Sequence, residues 1–395
     1  MKPLKLKKLI LEVHETSIFI ILIFKTTDKN TIITHVRHVR HELVYKIFAN
    51  IPRFLKTVLN FTGIDPFSHK LSPGILDLIK IIIASFTLAP LRLYCIFNLL
   101  CLTWFVAKIG LLCTNNKKTN EKPFSGWRRV LQVFIRKVFR AVFFCMGFHS
   151  IKISGDKSSK EKAPILVCAP HATIVDAIAV FASGSVPVAK QGVAKMYFIG
   201  PVFSFIQSLF VTREAASSRQ QTVDQIKSRA CDLEAETSSS HKWPQVFIFP
   251  EGTCTNSRAL IKFKSGAFQP GVPVQPVLIK RDLNTLDTLT WTWNQSYGEL
   301  VCLWLTCCQF SNSIEIEFMK VYEPNIEERE DSRLFAANVR ALMAARLGIP
   351  TVERSVSEFT NDGGSAWSIN NQKTSSSKVQ EYPYVIDFVG NLTQT

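Results

Sequence analysis

The chain has 395 residues, of which 47% are hydrophobic and 20% charged, a composition that excludes a largely disordered protein. Its formal net charge of +16 lies in the first 150 residues, which hold 23 Lys and Arg against 7 Asp and Glu. Residues 151–395 hold 24 of each. The sequence therefore predicts a basic, apolar N-terminal part, called the front end below, followed by a neutral globular part.

The basic residues of the front end flank apolar runs, a pattern typical of contact with anionic lipid headgroups. No helix-turn-helix, zinc-finger or RNA-binding motif accompanies them, so we expect a membrane partner and no nucleic acid. The ten cysteines form no C-x-x-C pair, which favours reduced thiols in a protein that faces the cytosol.

Residues 1–60 form a basic segment to which the sequence assigns no role, and we predict a membrane-anchoring region over residues 61–124. Its strongest apolar stretch runs from Ile75 to Cys113. Pro90 and Arg92 are expected to divide the densest part into two pieces, each shorter than the ~20 residues of a spanning helix. Three alternatives follow: one tilted and kinked span, a re-entrant helical hairpin, or a buried pair of soluble helices. Basic residues on both flanks favour the hairpin.

Residues 131–148 carry a basic stripe of Arg136, Lys137 and Arg140 on an otherwise aromatic and aliphatic segment. Such a segment is typical of an amphipathic helix at a membrane interface. An ordinary helix that covers a sheet would have the same pattern, and both interpretations stay open.

From residue 151 onward, short apolar runs alternate with helical stretches. Strands are predicted at 164–169, 245–249, 272–279 and 314–322, and helices at 172–182, 195–208, 218–236 and 331–347. This alternation predicts an α/β fold with a largely buried sheet flanked by helices, in a domain over residues 125–350. Residues 351–395 are rich in Ser, Thr, Asn and Gly and are expected to form a tail of low order.

Polar residues follow the predicted strands where a functional site of an open α/β fold is built. His171 and Asp176 follow the first strand. If His171 precedes the first helical turn, its ring can swing back to Asp176, which would fix the tautomer and free the other nitrogen to accept a proton. Core or capping roles for the pair stay open at this point.

Glu251 directly follows the second strand, where a carboxylate is not expected to be buried packing. Gly252 and Thr253 continue this turn. Arg213 and Lys264 are cations beside strand or glycine residues and could bind phosphate oxygens, although ordinary surface charge is the alternative.

The order of these motifs resembles the four blocks of the glycerophospholipid acyltransferase family. The blocks are His-x4-Asp, Phe-Val-Thr-Arg, Phe-Pro-Glu-Gly-Thr and Val-Pro-Val-Gln-Pro. The extension to Cys-Thr-Asn and the Leu-Asp-Thr-Leu-Thr-Trp-Thr-Trp segment resemble its lysophosphatidylcholine acyltransferase branch. The likeness covers about residues 63–352 and includes Asp65-Pro66-Phe67.

The resemblance implies roles for residues of this chain. His171 would be the general base and Asp176 would orient it. The residues implied in substrate binding are Arg213 at the acceptor phosphate, Glu251, Gly252 and Thr253 around the acceptor, Lys264 at a second phosphate or at CoA, and Pro276 beside the acyl tunnel.

The implied function is acyl-CoA-dependent acylation of a lysophospholipid, with lysophosphatidylcholine as the acceptor. The alternatives are a glycerol-3-phosphate or lysophosphatidate acyltransferase, a non-catalytic lipid-binding scaffold, and a hydrolase. The hydrolase is disfavoured because no Gly-x-Ser-x-Gly elbow is present and Cys254 has no evident base.

No metal or cofactor is expected, because a thioester is already activated. Calcium regulation is not expected either, because only Asp362-Gly363 resembles part of a calcium-binding loop. The implied location is the endoplasmic reticulum membrane with the catalytic part in the cytosol, and the Golgi and lipid droplets are the alternatives.

Overall fold

The computed structural model describes residues 65–114, 121–211, 216–231, 242–281, 286–292, 294–295 and 298–353. The basic segment 1–60, Arg213 and all of the expected tail beyond residue 353 lie outside the described residues. The boundaries expected for the membrane-anchoring region and the following domain stay predictions.

Two apolar helices, α1 (Ile75–Phe86) and α2 (Leu88–Leu111), meet at Thr87. The expected division at Pro90 and Arg92 is wrong. Pro90 is the third residue of α2, and the first four N–H groups of a helix have no intrahelical partner, so proline removes no hydrogen bond there. With 24 residues, α2 is about 36 Å long.

Within the described part of the chain, α2 is the one helix long and apolar enough to cross a membrane. Only 22% of its most apolar window is buried, so it is not an ordinary core helix. The outward residues of α1 are also apolar and exposed, among them Ile75, Ile83 and Phe86.

Two contacts fix α2 to the rest of the molecule. Near its start, the buried Arg92 guanidinium donates hydrogen bonds to the carbonyls of Cys307, at 3.0 Å, and Phe310, at 2.9 Å. Near its end, the buried Gly110 lies directly against the ring of Phe205. The apolar helix is therefore joined to the globular part at both ends.

Helix α3 (Trp127–Cys145) packs Ile135, Phe139 and Val142 into the core beneath the sheet. This agrees with the interpretation of residues 131–148 as a helix that covers a sheet. Its other face still exposes apolar residues, including Trp127 and Val130, so the amphipathic character is also present.

Among the described residues, the main sheet has seven strands in the order β2-β10-β8-β3-β6-β4-β5. They are β2 (Ile151–Ser154), β3 (Ile165–Ala169), β4 (Val186–Lys190), β5 (Leu209–Val211), β6 (Val246–Ile248), β8 (Val274–Lys280) and β10 (Ile314–Phe318). Every pair is parallel except β8 with β10. Two small parallel pairs, β1 (Ser68–His69) with β9 (Asn294–Gln295) and β7 (Leu260–Ile261) with β11 (Thr351–Val352), lie outside this sheet.

The remaining helices cover the two faces of the sheet. They are α4 (Ala177–Ser183), α5 (Gln191–Ala194), α6 (Ile199–Phe205), α7 (Ala216–Cys231), α8 (Glu299–Cys308), α9 (Ile326–Glu330) and α10 (Ser332–Leu347). Side chains of β3 alternate between two cores: Leu166 packs with α2, α3 and α4, whereas Ile165 and Val167 pack with α7 and α10. The predicted α/β fold with a buried, helix-flanked sheet is confirmed.

We predict that Gly110→Ala lowers the free energy of unfolding by about 1–3 kcal/mol, because a Cβ atom there would lie 2.2 Å from the fully buried Phe205 ring. Thermal unfolding of the detergent-solubilised chain measures this. The matched control is Gly192→Ala, also in a helix, where a Cβ atom meets nothing within 4 Å. Equal melting temperatures for the two variants would contradict the close packing of α2 on α6.

Candidate active site

Three adjacent parallel strands end at one edge of the sheet and bring the candidate site together. In spatial order they are β8, β3 and β6. The segments that follow them contribute Arg281, His171 and Glu251 respectively. Residues far apart in sequence meet here because parallel neighbours share the edge at which they end.

The loop after β3 folds back so that His171 meets Asp176. Residues 174–176 form a single 3₁₀ turn whose start is capped by the Thr173 side chain, which accepts a hydrogen bond from Val175 N at 3.3 Å. His171 Nδ1 lies 2.9 Å from Asp176 Oδ2. The same oxygen accepts hydrogen bonds from the backbone N–H groups of Ala172, at 2.7 Å, and Thr173, at 3.1 Å.

Arg281 forms an ion pair with the other oxygen of Asp176. Both side chains are buried, and Asp176 has no exposed surface. Burial by itself raises the pKa of Asp176, but the Arg281 charge, followed by His171, outweighs it and holds the pKa below its usual value. Asp176 is therefore a carboxylate at neutral pH.

Arg281 was not predicted from the sequence. The available signal was its position, since it directly follows a strand that is buried except at its last residue and ends at the same edge as the His171 loop. A cation at such a place requires an anionic partner.

Glu251 is fully buried, so the expectation that it is not buried packing is wrong. Its Oε2 accepts a hydrogen bond from His171 N at 2.8 Å. Burial raises the pKa of Glu251 to about 7, although the bond from His171 N acts in the opposite direction. From the same loop, Thr255 N donates to His171 O at 2.7 Å, so the backbone of His171 is held on both sides.

The imidazole of His171 stacks on Phe249, with 4.1 Å between ring centroids. About 19% of the side chain is exposed, so a substrate can reach it. Cys254 Sγ lies 3.8 Å from His171 Nε2. The inference that Cys254 has no evident base is therefore wrong, because the strand topology brings its base from 83 residues earlier in the chain.

Burial lowers the pKa of His171, but Cys254 and then Asp176 raise it by more, through charge and hydrogen bonds, to about 10. Both neighbours of the ring therefore favour its protonated form.

Of the other predicted site residues that the structure describes, three lie together at the turn after β6 and one lies apart from them. Lys264 N donates to Pro250 O at 2.8 Å, and the Lys264 side chain covers Gly252, where φ is +65° and a Cβ atom would meet it at 2.9 Å. Thr253 is buried in the same turn. Pro276 does not join them: it is buried inside β8 and pairs with Val167, four residues before His171.

Two segments distant in sequence from the site loops form hydrogen bonds with them. Asn256 donates from its amide nitrogen to Asp65 O at 2.7 Å, and from its backbone to Pro66 O at 2.8 Å. Trp291 N donates to Ala172 O at 2.8 Å. The Asp65-Pro66-Phe67 and Thr-Trp-Thr segments therefore support the two loops that carry Cys254 and His171.

The sequence of this chain is similar to those of known acyltransferases. The family model described as Acyltransferase matches residues 150–280. The chain is 41% identical over 294 residues to lysophosphatidylcholine acyltransferase 1 of Danio rerio, covering 74% of this chain and 54% of that protein. It is 42% identical over 298 residues to the lysophosphatidylcholine acyltransferase of Drosophila melanogaster, covering 75% and 54%.

Lysophosphatidylcholine acyltransferase 2 of Homo sapiens is 40% identical over 291 residues, covering 73% of this chain and 51% of that protein. The chain thus spans about half the length of the curated relatives it matches. The crystal structure of the 1-acyl-sn-glycerophosphate acyltransferase of Thermotoga maritima superposes with a TM-score of 0.41 at 17% identity, over 69% of this chain and 97% of that one.

We predict that Arg281→Met lowers the free energy of unfolding at pH 7.5 by about 3 kcal/mol, because it leaves the Asp176 carboxylate buried without a cation. The loss should shrink as the pH falls toward the ordinary aspartate pKa of about 3.9, because Asp176 without its cation protonates first. Denaturant unfolding at pH 7.5 and pH 4 measures both effects.

Lys280→Met is the matched control for this change. Lys280 pairs with Glu317 and is partly exposed, so its removal should cost less than about 1 kcal/mol. A loss in Arg281→Met that is equal at both pH values would show that Asp176 is not the group that Arg281 stabilises.

Proposed function

We propose that this chain is an acyltransferase, since the family model described as Acyltransferase matches residues 150–280, and that it acylates lysophospholipids with acyl-CoA as donor. The observation that carries the proposal is the partly exposed His171, held through Nδ1 by a buried carboxylate that is itself paired with Arg281. Nε2 is thereby left as the nitrogen that can exchange a proton with a substrate.

In the proposed reaction, the neutral form of His171 accepts the proton of the acceptor hydroxyl at Nε2 as the oxygen attacks the thioester carbonyl. The new C–O bond forms and the C–S bond to CoA breaks. The proton then passes from His171 to the departing sulfur, which leaves as CoA thiol. The thioester is already activated, so the proposed transfer uses neither a metal nor a cofactor.

Asp176 and Arg281 act in this scheme as positioning residues. Asp176 fixes the tautomer with hydrogen on Nδ1 and stabilises the imidazolium that forms during the attack. Arg281 keeps Asp176 charged. Glu251 acts on the backbone of His171, so its part in the acceptor site is through the shape of the loop.

For the acceptor we propose lysophosphatidylcholine, which is the substrate class in the names of the relatives. Lys264, beside Gly252, is the described cation best placed for a phosphate of the acceptor or of CoA. Glycerol-3-phosphate and lysophosphatidate remain the alternative acceptors, and a panel assay separates them.

We also propose that the protein works at a membrane, with its catalytic domain on the cytosolic side of the endoplasmic reticulum. The length and composition of α2 and the exposed apolar face of α1 support membrane contact. An enzyme held in a leaflet can take acyl chains without transferring them fully into water. The cytosol is the compartment that supplies acyl-CoA.

The first test is acyl transfer in membrane fractions with labelled acyl-CoA and a panel of lysophospholipids plus glycerol-3-phosphate. We predict that His171→Ala lowers turnover by roughly 10²–10⁴-fold, because general base catalysis contributes about that factor. The control is His149→Ala, an exposed histidine outside the site. Turnover that is equal in both variants would refute the mechanism, and no turnover with any acceptor would favour a lipid-binding scaffold.

Cys254→Ala tests a second mechanism, in which the sulfur beside His171 takes the acyl group before the acceptor does. We predict that the variant retains turnover and that the acid limb of its kcat/KM profile moves to lower pH. The sign follows because Cys254 is the largest cause that raises the pKa of His171, and only neutral imidazole is a base. Inactivity as complete as in His171→Ala would instead establish an acyl-thioester intermediate.

A further inference from the structure

A second concave site lies at the opposite end of the sheet from His171. It is a cavity of about 290 Å³, bordered by the residues just before β4 and β6, by the loop before β3 and by the first turns of α3. The five residues of β3, at about 3.3 Å each, place roughly 16 Å between this cavity and the His171 edge. The two sites are therefore separate.

The walls of this basic cavity hold five basic side chains and one acidic side chain, namely Arg129, Arg136, Lys157, Lys160, Lys242 and Glu161. Glu161 is already paired with Lys242 at 3.3 Å. Behind the wall, the buried Arg229 stacks on Trp243 at 4.0 Å and adds a further positive charge. Cations gathered in one concavity with so little compensating charge attract anions.

Two of these cations come from one stripe of α3. Arg129, Gln132 and Arg136 follow one another at helical spacing and all face the cavity. Gln132 is engaged, since it donates to Phe205 O at 2.9 Å. For the guanidinium groups of Arg129 and Arg136, no hydrogen-bond acceptor or carboxylate is found within the described residues.

The C-terminal end of α4 compensates part of the positive charge of the basic cavity. Lys157 Nζ donates to Ser183 O at 2.6 Å, and Arg136 lies against Gly184, the residue that ends this helix. A helix end carries only about half a negative charge, which is too little to neutralise the cluster. Burial lowers the pKa of Arg136 and the neighbouring Arg129 lowers it further, so the two arginines repel each other. A bound anion would relieve this repulsion.

We propose that the basic cavity binds a phosphate group through Arg129 and Arg136, with Lys157 beside them. Paired guanidinium groups match the geometry of phosphate oxygens, and a volume of about 290 Å³ suits a phosphorylated headgroup or a small diphosphate. The site takes no part in the proposed acyl transfer and stands on its own observations.

Two sources could supply this phosphate. The outer face of α3 exposes Trp127, Val130 and Phe134 next to Arg129, a combination that suits a lipid whose headgroup enters the cavity. A soluble phosphate ester would use the same cations without the apolar face. The phosphate chemistry is common to both sources.

The test is calorimetric titration of the full chain in neutral detergent at low ionic strength, with inorganic pyrophosphate as the probe. We expect Arg136→Gln to weaken binding by about tenfold or more. The matched control, Lys137→Gln, removes a charge from the next position of α3, outside the cavity, and should leave affinity within about twofold. Any pyrophosphate that binds at the His171 edge would bind equally to both variants, so it does not contribute to the difference between them.

If Arg136→Gln does not fold, the exposed Arg129→Gln replaces it, with a smaller loss of affinity expected. Pyrophosphate affinity that is equal in wild type, in Lys137→Gln and in the cavity variant would overturn the proposal. The proposed phosphate site does not depend on the proposed acyl transfer, so we expect His171→Ala to leave pyrophosphate binding unchanged.

A second arm identifies the source. The chain is reconstituted in phosphatidylcholine vesicles that contain either phosphatidic acid or oleate at matched surface charge. Pyrophosphate binding that is weaker in the vesicles with phosphatidic acid than in those with oleate supports the site and assigns it to a lipid headgroup. Equal binding in both vesicles, still sensitive to Arg136→Gln, supports the site and assigns it to a soluble phosphate.

Discussion

A carboxylate with no exposed surface costs several kcal/mol unless its charge is compensated, and Asp176 is such a group. Its compensation comes from three directions: the Arg281 guanidinium, the His171 ring and two backbone N–H groups of its own loop. Arg281 directly follows β8, whereas the His171 ring and the two N–H groups belong to the loop after β3. The buried charge of Asp176 is therefore compensated only when β8 and β3 lie side by side.

The two ends of the sheet differ in how far their charges are compensated. At the His171 edge, the buried Asp176 carboxylate is paired with the buried Arg281 guanidinium. At the other end, positive charge is left uncompensated within the described residues.

The strands that matter for the site could be predicted because they are apolar over most of their length and end in polar motifs. His171 and Glu251 were assigned to the correct ends of strands for this reason. Arg281 was not predicted, because its role depends on β8 lying beside β3, although 104 residues separate the two strands in the chain, and a sequence pattern does not contain strand order. The contact of Cys254 with His171 was not predicted for the same reason. The buried state of Glu251 was not predicted because its acceptors are satisfied by backbone N–H groups, which every residue carries.

The anchoring of α2 by Arg92 and Gly110 has a geometric consequence. A catalytic domain tethered to a membrane helix by a flexible linker would sample many heights and tilts above the lipid surface. Here the helix is packed against the rest of the molecule near both of its ends. If α2 lies in a membrane as proposed, these contacts set the height of the His171 edge above the lipid surface.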